Sequence, residues 1–211
     1  MIIIYFLISL LASIIGAISG IGGGIIIKPL FDATHSMSVP AVSFLSGCTV
    51  LAMTTSALIQ SQKGDIPLNI RVSTMLGIGA AAGGYLGNHL FDRLLQQSRN
   101  EDRVGLIQAV VLLLITIVIF LYFENRGAIK SYKVDHTLAS LAAGLVLGII
   151  SAFLGIGGGP LNIAVLYYLF SMRAKAAALN SIYIIFIAQL FSLINAFASA
   201  AVADADALLP A

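Results

Sequence analysis

The stretch Gly20-Ile21-Gly22-Gly23-Gly24 decides how the chain is interpreted, because the same five residues recur as Gly155-Ile156-Gly157-Gly158-Gly159. Each copy follows one apolar run and precedes a shorter one, and the alignment of Gly20 with Gly155 continues without a gap into the next helix. Glycine inside a helix costs about 1 kcal/mol relative to alanine, and backbone groups freed in hydrocarbon cost several times that unless they find partners. We therefore predict two membrane helices, each broken by glycine at a place where the break lines a cavity.

The composition indicates an integral membrane protein. Of the 211 residues, 59% are hydrophobic and only 9% are charged, whereas soluble domains carry about 25% charged residues. The mean hydropathy is +1.02. A formal net charge of +2 does not point to nucleic acid. The lone Cys48 excludes an intrachain disulfide, and three scattered histidines predict no metal site and no cofactor.

The predicted fold is all-α, with two tandem repeats of transmembrane helices that each contain one glycine-broken helix. The first repeat covers residues 1–125 and the second covers residues 137–211. The predicted helices are the broken helices at 1–31 and 137–170 and the spans at 39–61, 71–91, 105–123 and 173–202. The charged segment 92–103 is expected to be a solvated loop. In the repeat register, two more helices would lie beyond Ala211, so the second repeat is expected to be incomplete. The run at 1–19 lacks the basic start of a signal peptide and is expected to be retained.

The orientation of the two repeats depends on what the chain does at each break. Four crossings per repeat would give a parallel pair, whereas a helical hairpin at each break would give an inverted pair. We favour four crossings per repeat and therefore the parallel pair. Basic residues are nearly balanced between the two sets of loops, so they do not decide the orientation in the membrane. In the span at 71–91, Gly79, Gly83 and Gly87 recur every fourth residue. We interpret them as a helix-packing strip rather than a gating surface.

The glycine breaks are the predicted substrate site. A half-helix that starts at a break presents unpaired N–H groups and the positive end of its dipole, which attract an anion. Packing of two crossing helices is the alternative role for these glycines. The predicted substrate-binding residues are Gly20, Gly22, Gly23, Gly24, Gly155, Gly157, Gly158, Gly159, Lys28, Ser46, Asn180 and Ser181.

The polar side chains in this set each have a structural alternative. Lys28 is either a counter-charge for the anion or a lysine that reaches the interface and pairs with Asp32. Ser46 and Ser181 coincide in the repeat register and, with Asn180, would complete the donor shell, or else bond between helices. Four further amide side chains are interpreted as structural: Gln60, Asn162, Gln189 and Asn195.

The paired glycine segments, with Ile25-Ile26-Ile27-Lys28-Pro29-Leu30 after the first and Pro160-Leu161-Asn162 after the second, resemble the sulfite exporter TauE/SafE family of membrane permeases. The resemblance covers essentially the whole chain. It implies two four-helix repeats in a multi-pass cell-membrane protein that transports sulfite, a sulfonate or a related small sulfur oxyanion. It implicates the eight glycines and, less directly, Ser46 and Ser181. The shortened second repeat departs from the family pattern.

The function predicted from these features is secondary transport of a small anion across the lipid bilayer. The sequence has no ATP-binding signature, so pumping by this chain alone would be coupled to a gradient. No nucleophile and base occur at a recognisable spacing in the spans, so an enzyme is not expected. The alternative is a membrane interaction subunit that uses the glycines for packing and needs a partner for activity. Self-association into a homo-oligomer is left open. A cation channel is disfavoured because no run of acidic residues lies within the spans.

Overall fold

A computed structural model describes residues 2–32, 39–62, 64–97, 136–154 and 158–208, together with scattered positions between 110 and 134. The elements with described bounds are all helices, which confirms the all-α prediction for this part of the chain. They are α1 (Ile2–Ser19), α2 (Gly24–Asp32), α3 (Val39–Ser61), α4 (Ile70–Gln97), α5 (Thr137–Leu154), α6 (Gly159–Phe170) and α7 (Ala174–Leu208). In the predicted span at 105–123, the described residues between Val110 and Leu121 are helical.

The helices match the predicted spans closely. The bounds of α3 are those predicted for the second span, whereas α4 continues to Gln97, beyond the predicted end at 91. The residues added to α4 include leucine and glutamine, which favour a helix even outside hydrocarbon. Within the described residues, two helices are long and apolar enough to cross a membrane, over Phe44–Ser61 and Ala174–Phe197. Apolar side chains such as Ile18 are exposed on the outer surface, as contact with lipid requires.

Both glycine breaks reverse the direction of the chain. In the first hairpin, formed by α1 and α2, the ring of Phe31 meets the ring of Tyr5 edge-on, with centroids 5.0 Å apart. In the second hairpin, formed by α5 and α6, the N–H of Val134 donates to the carbonyl of Leu169 at 3.0 Å. The end of each short helix therefore returns to the start of the long helix before it. Each break is the tip of a helical hairpin.

The two sets of helices run in opposite directions. The helices α1, α2 and α3 begin at residues 2, 24 and 39, and α5, α6 and α7 begin at residues 137, 159 and 174, so the starts are spaced identically in the two sets. Yet α3 and α7 are antiparallel: Phe44 packs on Phe197, with centroids 5.5 Å apart, and Gly47 faces the amide of Gln189. The predicted parallel arrangement is therefore wrong. It counted each broken helix as one crossing, whereas each one turns back at its glycines.

The glycine strip of α4 packs directly on α5. A Cβ atom at Gly79 or Gly83 would overlap backbone atoms of α5 at Leu145, and one at Gly87 would lie 2.8 Å from the carbonyl oxygen of Ile149. Later glycines of α4 contact later residues of α5, so the two helices are parallel. The interpretation of this strip as a packing surface is confirmed.

The largest apolar core joins the second hairpin to α4 and α7. Leu76 of α4, Leu166 of α6 and Ile184 of α7 are each fully buried in it. A smaller cluster of Ala12, Ile27 and Phe31 fills the first hairpin. Each hairpin thus packs on its own apolar cluster. The tips of the two hairpins point toward each other between these clusters.

Adjacent glycines of α4 provide a test of this packing. We expect Gly83→Ala to lower the free energy of unfolding by about 1–3 kcal/mol, because the new methyl group overlaps the Leu145 carbonyl and forces α5 away. Gly84→Ala is the matched control, since no described atom lies within 4 Å of its Cβ position. That change should be neutral or should stabilise the helix by up to about 1 kcal/mol. Unfolding of the purified variants in detergent measures both; equal stabilities would contradict the packing.

Candidate substrate site between two helical hairpins

The tips of the two hairpins touch through their backbones. A Cβ atom at Gly159 would overlap the carbonyl group of Ile21, so only glycine permits this approach. Ser181 of α7, which is fully buried, lies beside the contact. Its hydroxyl donates to the carbonyl of Gly20 at 2.8 Å and lies 3.4 Å from the carbonyl oxygen of Gly159. One side chain thus joins the two glycine breaks.

A pocket of about 540 Å³, the central pocket, lies beside this contact. Glycine backbone from both breaks lines it, at Gly22 and Gly24 from the first and at Gly158 from the second. None of its described lining residues carries a charged side chain. The polar side chains that line it belong to Ser46, Tyr85, Asn88, Ser151, Asn162, Gln189, Ser192 and Asn195. The central pocket therefore offers hydroxyl, amide and backbone groups in an otherwise apolar wall.

The start of α2 brings backbone donors to this pocket. The N–H groups of Ile26 and Ile27 both donate to the carbonyl of Gly23 at 3.0 Å. No acceptor is described for the N–H groups of Gly24 and Ile25, as expected for the first positions of a helix. The Cβ position of Gly24 is 3.8 Å from the hydroxyl oxygen of Ser46, so that hydroxyl lies next to the helix start.

The start of α6 brings a second set of donors. Its N-cap residue, Gly158, has a φ of 81° and offers no side-chain cap. The N–H of Asn162 donates to the Gly158 carbonyl at 2.8 Å, and Pro160 has no N–H, so Gly159 and Leu161 hold the N–H groups at this helix start for which the described residues offer no acceptor.

Two polar side chains surround Gly158. Its Cβ position is 3.0 Å from the hydroxyl oxygen of Ser151 and 3.5 Å from both amide atoms of Asn162. Ser151 is 8% exposed, and its hydroxyl has no hydrogen-bond partner among the described residues. Asn162 is 3% exposed. Buried polar groups are normally paired, so an unpaired hydroxyl beside a helix N-terminus marks a place where a ligand can supply the missing partner.

The structure brings together only part of the predicted site. Gly22, Gly24, Gly158 and Ser46 line the central pocket. Gly20, Gly23, Gly159 and Ser181 lie in the packed backbone next to it rather than in its lining. Gly155 and Gly157 lie outside the described residues, and so does the side chain of Lys28.

Asn180 lies away from the pocket and is fully bonded. Its amide nitrogen donates to the carbonyls of Pro67 and Ala176 at 3.2 and 2.7 Å. Its amide oxygen accepts from the N–H of Asn69 at 2.9 Å and from the hydroxyl of Ser73 at 2.5 Å. These bonds fasten the start of α4 to α7, which is the structural alternative considered for this residue.

The pocket lining includes Ser151, which the sequence analysis did not name, and three amide side chains that it interpreted as structural. Asn162, Gln189 and Asn195 were interpreted as structural but line the pocket, whereas Gln60 is exposed elsewhere. Ser151 is a small polar residue in an apolar run, and the residue 135 positions before it is Gly16, so the predicted repeat register does not single it out. The available signal was its position seven residues before Gly158.

Membrane-length helices and two broken-helix hairpins that meet at a partly open pocket fit a multi-pass membrane transporter. The chain matches the family described as sulfite exporter TauE/SafE over residues 5–211 and belongs to that family. It is a family of transporters, not of enzymes. A relative, the probable membrane transporter protein YunE of Bacillus subtilis (strain 168), is 24% identical over 214 residues, which cover 89% of this chain and 75% of the relative. No solved structure matches.

The bonding of Asn180 predicts a structural effect of its replacement. We expect Asn180→Ala to lower the free energy of unfolding by about 1–3 kcal/mol, because the buried Ser73 hydroxyl of α4 and the backbone groups of Pro67 and Asn69 just before α4 lose their partner on α7. Thr55→Ala is the control, since the exposed Thr55 hydroxyl bonds to the Leu51 carbonyl of its own helix, at 2.7 Å. Unfolding in detergent compares the two variants. If both lose the same stability, the Asn180 bonds do not hold the helices together.

Proposed function

We propose that this protein carries a small oxyanion across the membrane and holds it in the central pocket. The observation that carries the proposal is that residues at two helix N-termini, Gly24 of α2 and Gly158 before α6, line one pocket. Each N-terminus offers unpaired N–H groups and is equivalent to about half a positive charge. Hydroxyl and amide groups of Ser46, Ser151 and Asn162 are available as further donors.

The charge of the pocket favours a singly charged ligand. Two helix N-termini together supply about one positive charge. With no charged side chain among the described lining residues, a dianion would keep about one uncompensated charge in a low-dielectric site. A sulfonate or hydrogen sulfite meets this condition and presents several acceptor oxygens to the donors. The family to which the chain belongs is described by sulfite export, which supports a sulfur oxyanion.

An inverted pair of units suggests how the anion would cross. We infer that α1–α3 and α5–α7 descend from a duplication, supported by helix starts that are spaced identically in the two units. The two units run in opposite directions and meet at one pocket. This arrangement is compatible with alternating access, in which one unit rocks against the other around a fixed site. An ion gradient would then drive the net movement.

Transport by the whole chain is the direct test. Purified protein reconstituted into proteoliposomes is expected to take up radiolabelled sulfite faster than protein-free vesicles. Gly158→Val should reduce this uptake by about tenfold or more, because its side chain enters the space beside Ser151 and Asn162 and is strained at a φ of 81°. Gly64→Ala, in the loop before α4, is the control, since its Cβ position has only an ordinary contact at 3.6 Å.

The outcomes of this assay distinguish an error in the proposed transport activity from an error in the proposed binding site. If the unaltered protein moves none of sulfite, thiosulfate or a small sulfonate, the transport proposal is wrong and the interaction-subunit hypothesis gains support. If Gly158→Val transports normally while remaining folded, the anion does not bind at the second break. Size-exclusion chromatography of both variants establishes that they are folded.

Competition tests the preference for a single charge. We expect methanesulfonate to inhibit sulfite uptake at a concentration about tenfold or more below that of sulfate, because the described residues of the pocket offer no counter-charge to the second charge of sulfate. Both inhibitors are tested at one ionic strength, so that screening at the membrane surface is equal. Equal inhibition by the two anions would refute the charge-matching argument without refuting transport.

A further inference from the structure

The two hairpins are alike in outline but differ where their helices face each other. In the repeat register, which aligns Gly20 with Gly155, Ser151 of α5 corresponds to Gly16 of α1, and Asn162 of α6 corresponds to Ile27 of α2. The second hairpin thus has a hydroxyl and an amide at positions where the first has a hydrogen atom and an apolar side chain. This difference is the starting point for assigning separate roles to the two hairpins.

The first hairpin is closed at these positions. A Cβ atom at Gly16 would overlap the backbone at Gly22 and Gly23, so α1 and the first break pack without space for a ligand. Ile27 is fully buried and packs with Ala12, inside the hairpin. Neither Gly16 nor Ile27 lines the central pocket. At these two positions the first hairpin is therefore closed by backbone contact and apolar packing, although Gly22 and Gly24 of its break line the pocket.

The second hairpin is open at the corresponding positions. Ser151 and Asn162 both line the central pocket, and both lie within 3.5 Å of the Cβ position of Gly158. The Ser151 hydroxyl is buried, and the described residues offer it no partner. In the described part of the chain, no hydrogen bond is found for the side-chain amide of Asn162 either. Their unused donors surround the N-terminus of α6.

We propose that, of the two hairpins, only the second supplies side-chain ligands to the anion, with Ser151 and Asn162 as its specificity-determining side chains. The Ser151 hydroxyl and the Asn162 amide nitrogen each donate to one oxygen of the ligand, and the positive end of α6, at Gly158, faces the same charge. The first hairpin supplies the opposite wall and the field of its helix N-terminus. This assignment rests on the proposed transport of an oxyanion and adds which half of the molecule recognises it.

An unpaired buried hydroxyl gives this proposal a distinctive signature. When a serine hydroxyl stabilises the fold through a hydrogen bond, its truncation lowers the stability of the protein. Removal of a buried hydroxyl that has no partner is instead neutral or stabilising. Ser151→Ala should therefore weaken anion binding with no decrease in the midpoint of thermal unfolding. A hydrogen bond to a charged group corresponds to a loss of about 10- to 100-fold in affinity.

The experiment measures equilibrium binding of radiolabelled sulfite to the purified full chain, together with its uptake into proteoliposomes. Ser151→Ala and Asn162→Leu are each expected to raise Kd about 10- to 100-fold and to reduce uptake at low sulfite concentration. Ser140→Ala is the matched control, because Ser140 is an equally buried serine of α5, 1% exposed, that lies outside the pocket. Its hydroxyl lies 3.4 Å from the carbonyl oxygen of His136, one turn earlier in the chain. We expect this control to bind sulfite as the unaltered protein does.

Each result has one meaning. Normal binding by Ser151→Ala and Asn162→Leu, with normal binding by the unaltered protein, would overturn the assignment to the second hairpin and leave transport intact. An equal loss in Ser140→Ala would show that any change in α5 disturbs the pocket, which also overturns it. If the unaltered protein neither binds nor moves sulfite or methanesulfonate, both this inference and the proposed function fail.

Discussion

The contact on which the rest of the structure depends is the backbone approach between Gly159 and the carbonyl of Ile21. Without a side chain at residue 159, the tips of the two hairpins meet, and the starts of α2 and α6 reach the same pocket. Carbonyls at a broken helix need donors when no bulk water is present, and the hydroxyl of Ser181 provides one to Gly20 at 2.8 Å. One glycine contact and one serine bond therefore hold the two breaks together.

The glycines of α4 and α5 extend the same principle to the wall of the pocket. Gly148 of α5 lies against the backbone of Ala80, and both residues also line the central pocket. Close packing of the two helices thus fixes one side of the central pocket. Different glycines of one structure pack helices and line the pocket: the strip of α4 packs on α5, whereas Gly22, Gly24 and Gly158 line the pocket in which we propose that the anion binds.

The positions of the helices and of both breaks could be predicted from the sequence, because long apolar runs and clustered glycines are strong local signals. The direction of the chain after each break could not. Glycine adopts positive and negative φ with similar ease, so a cluster of glycines is compatible with a continued helix or with a hairpin. Gly20, Gly22 and Gly158 have the positive φ values that the hairpins require. Packing of the short helices stabilises this conformation over a continued helix.

Neighbours on one helix show why the side chains of the site were harder to predict than the breaks. Asn180 and Ser181 are adjacent in α7, but about 100° separates successive side chains around a helix, so they face different partners. Asn180 faces the start of α4, and Ser181 faces the hairpin tips. Ser151 could not be predicted for a related reason. The feature that distinguishes it is an unpaired buried hydroxyl, and only the three-dimensional packing shows that a hydroxyl is unpaired.

A site of neutral donors suits a transporter better than one built on cationic side chains. At an effective dielectric constant of 20, a cation and an anion about 4 Å apart attract each other by about 4 kcal/mol, and more in a drier pocket. A buried lysine or arginine would hold the anion in the pocket and slow its release. In the proposed site, helix N-termini and groups such as Ser151 and Asn162 would still recognise the oxygens of the ligand, but the attraction would be spread over several weaker contacts. If transport moves the hairpins, these contacts can be lost one at a time, so binding selective enough for recognition remains compatible with release on the other side.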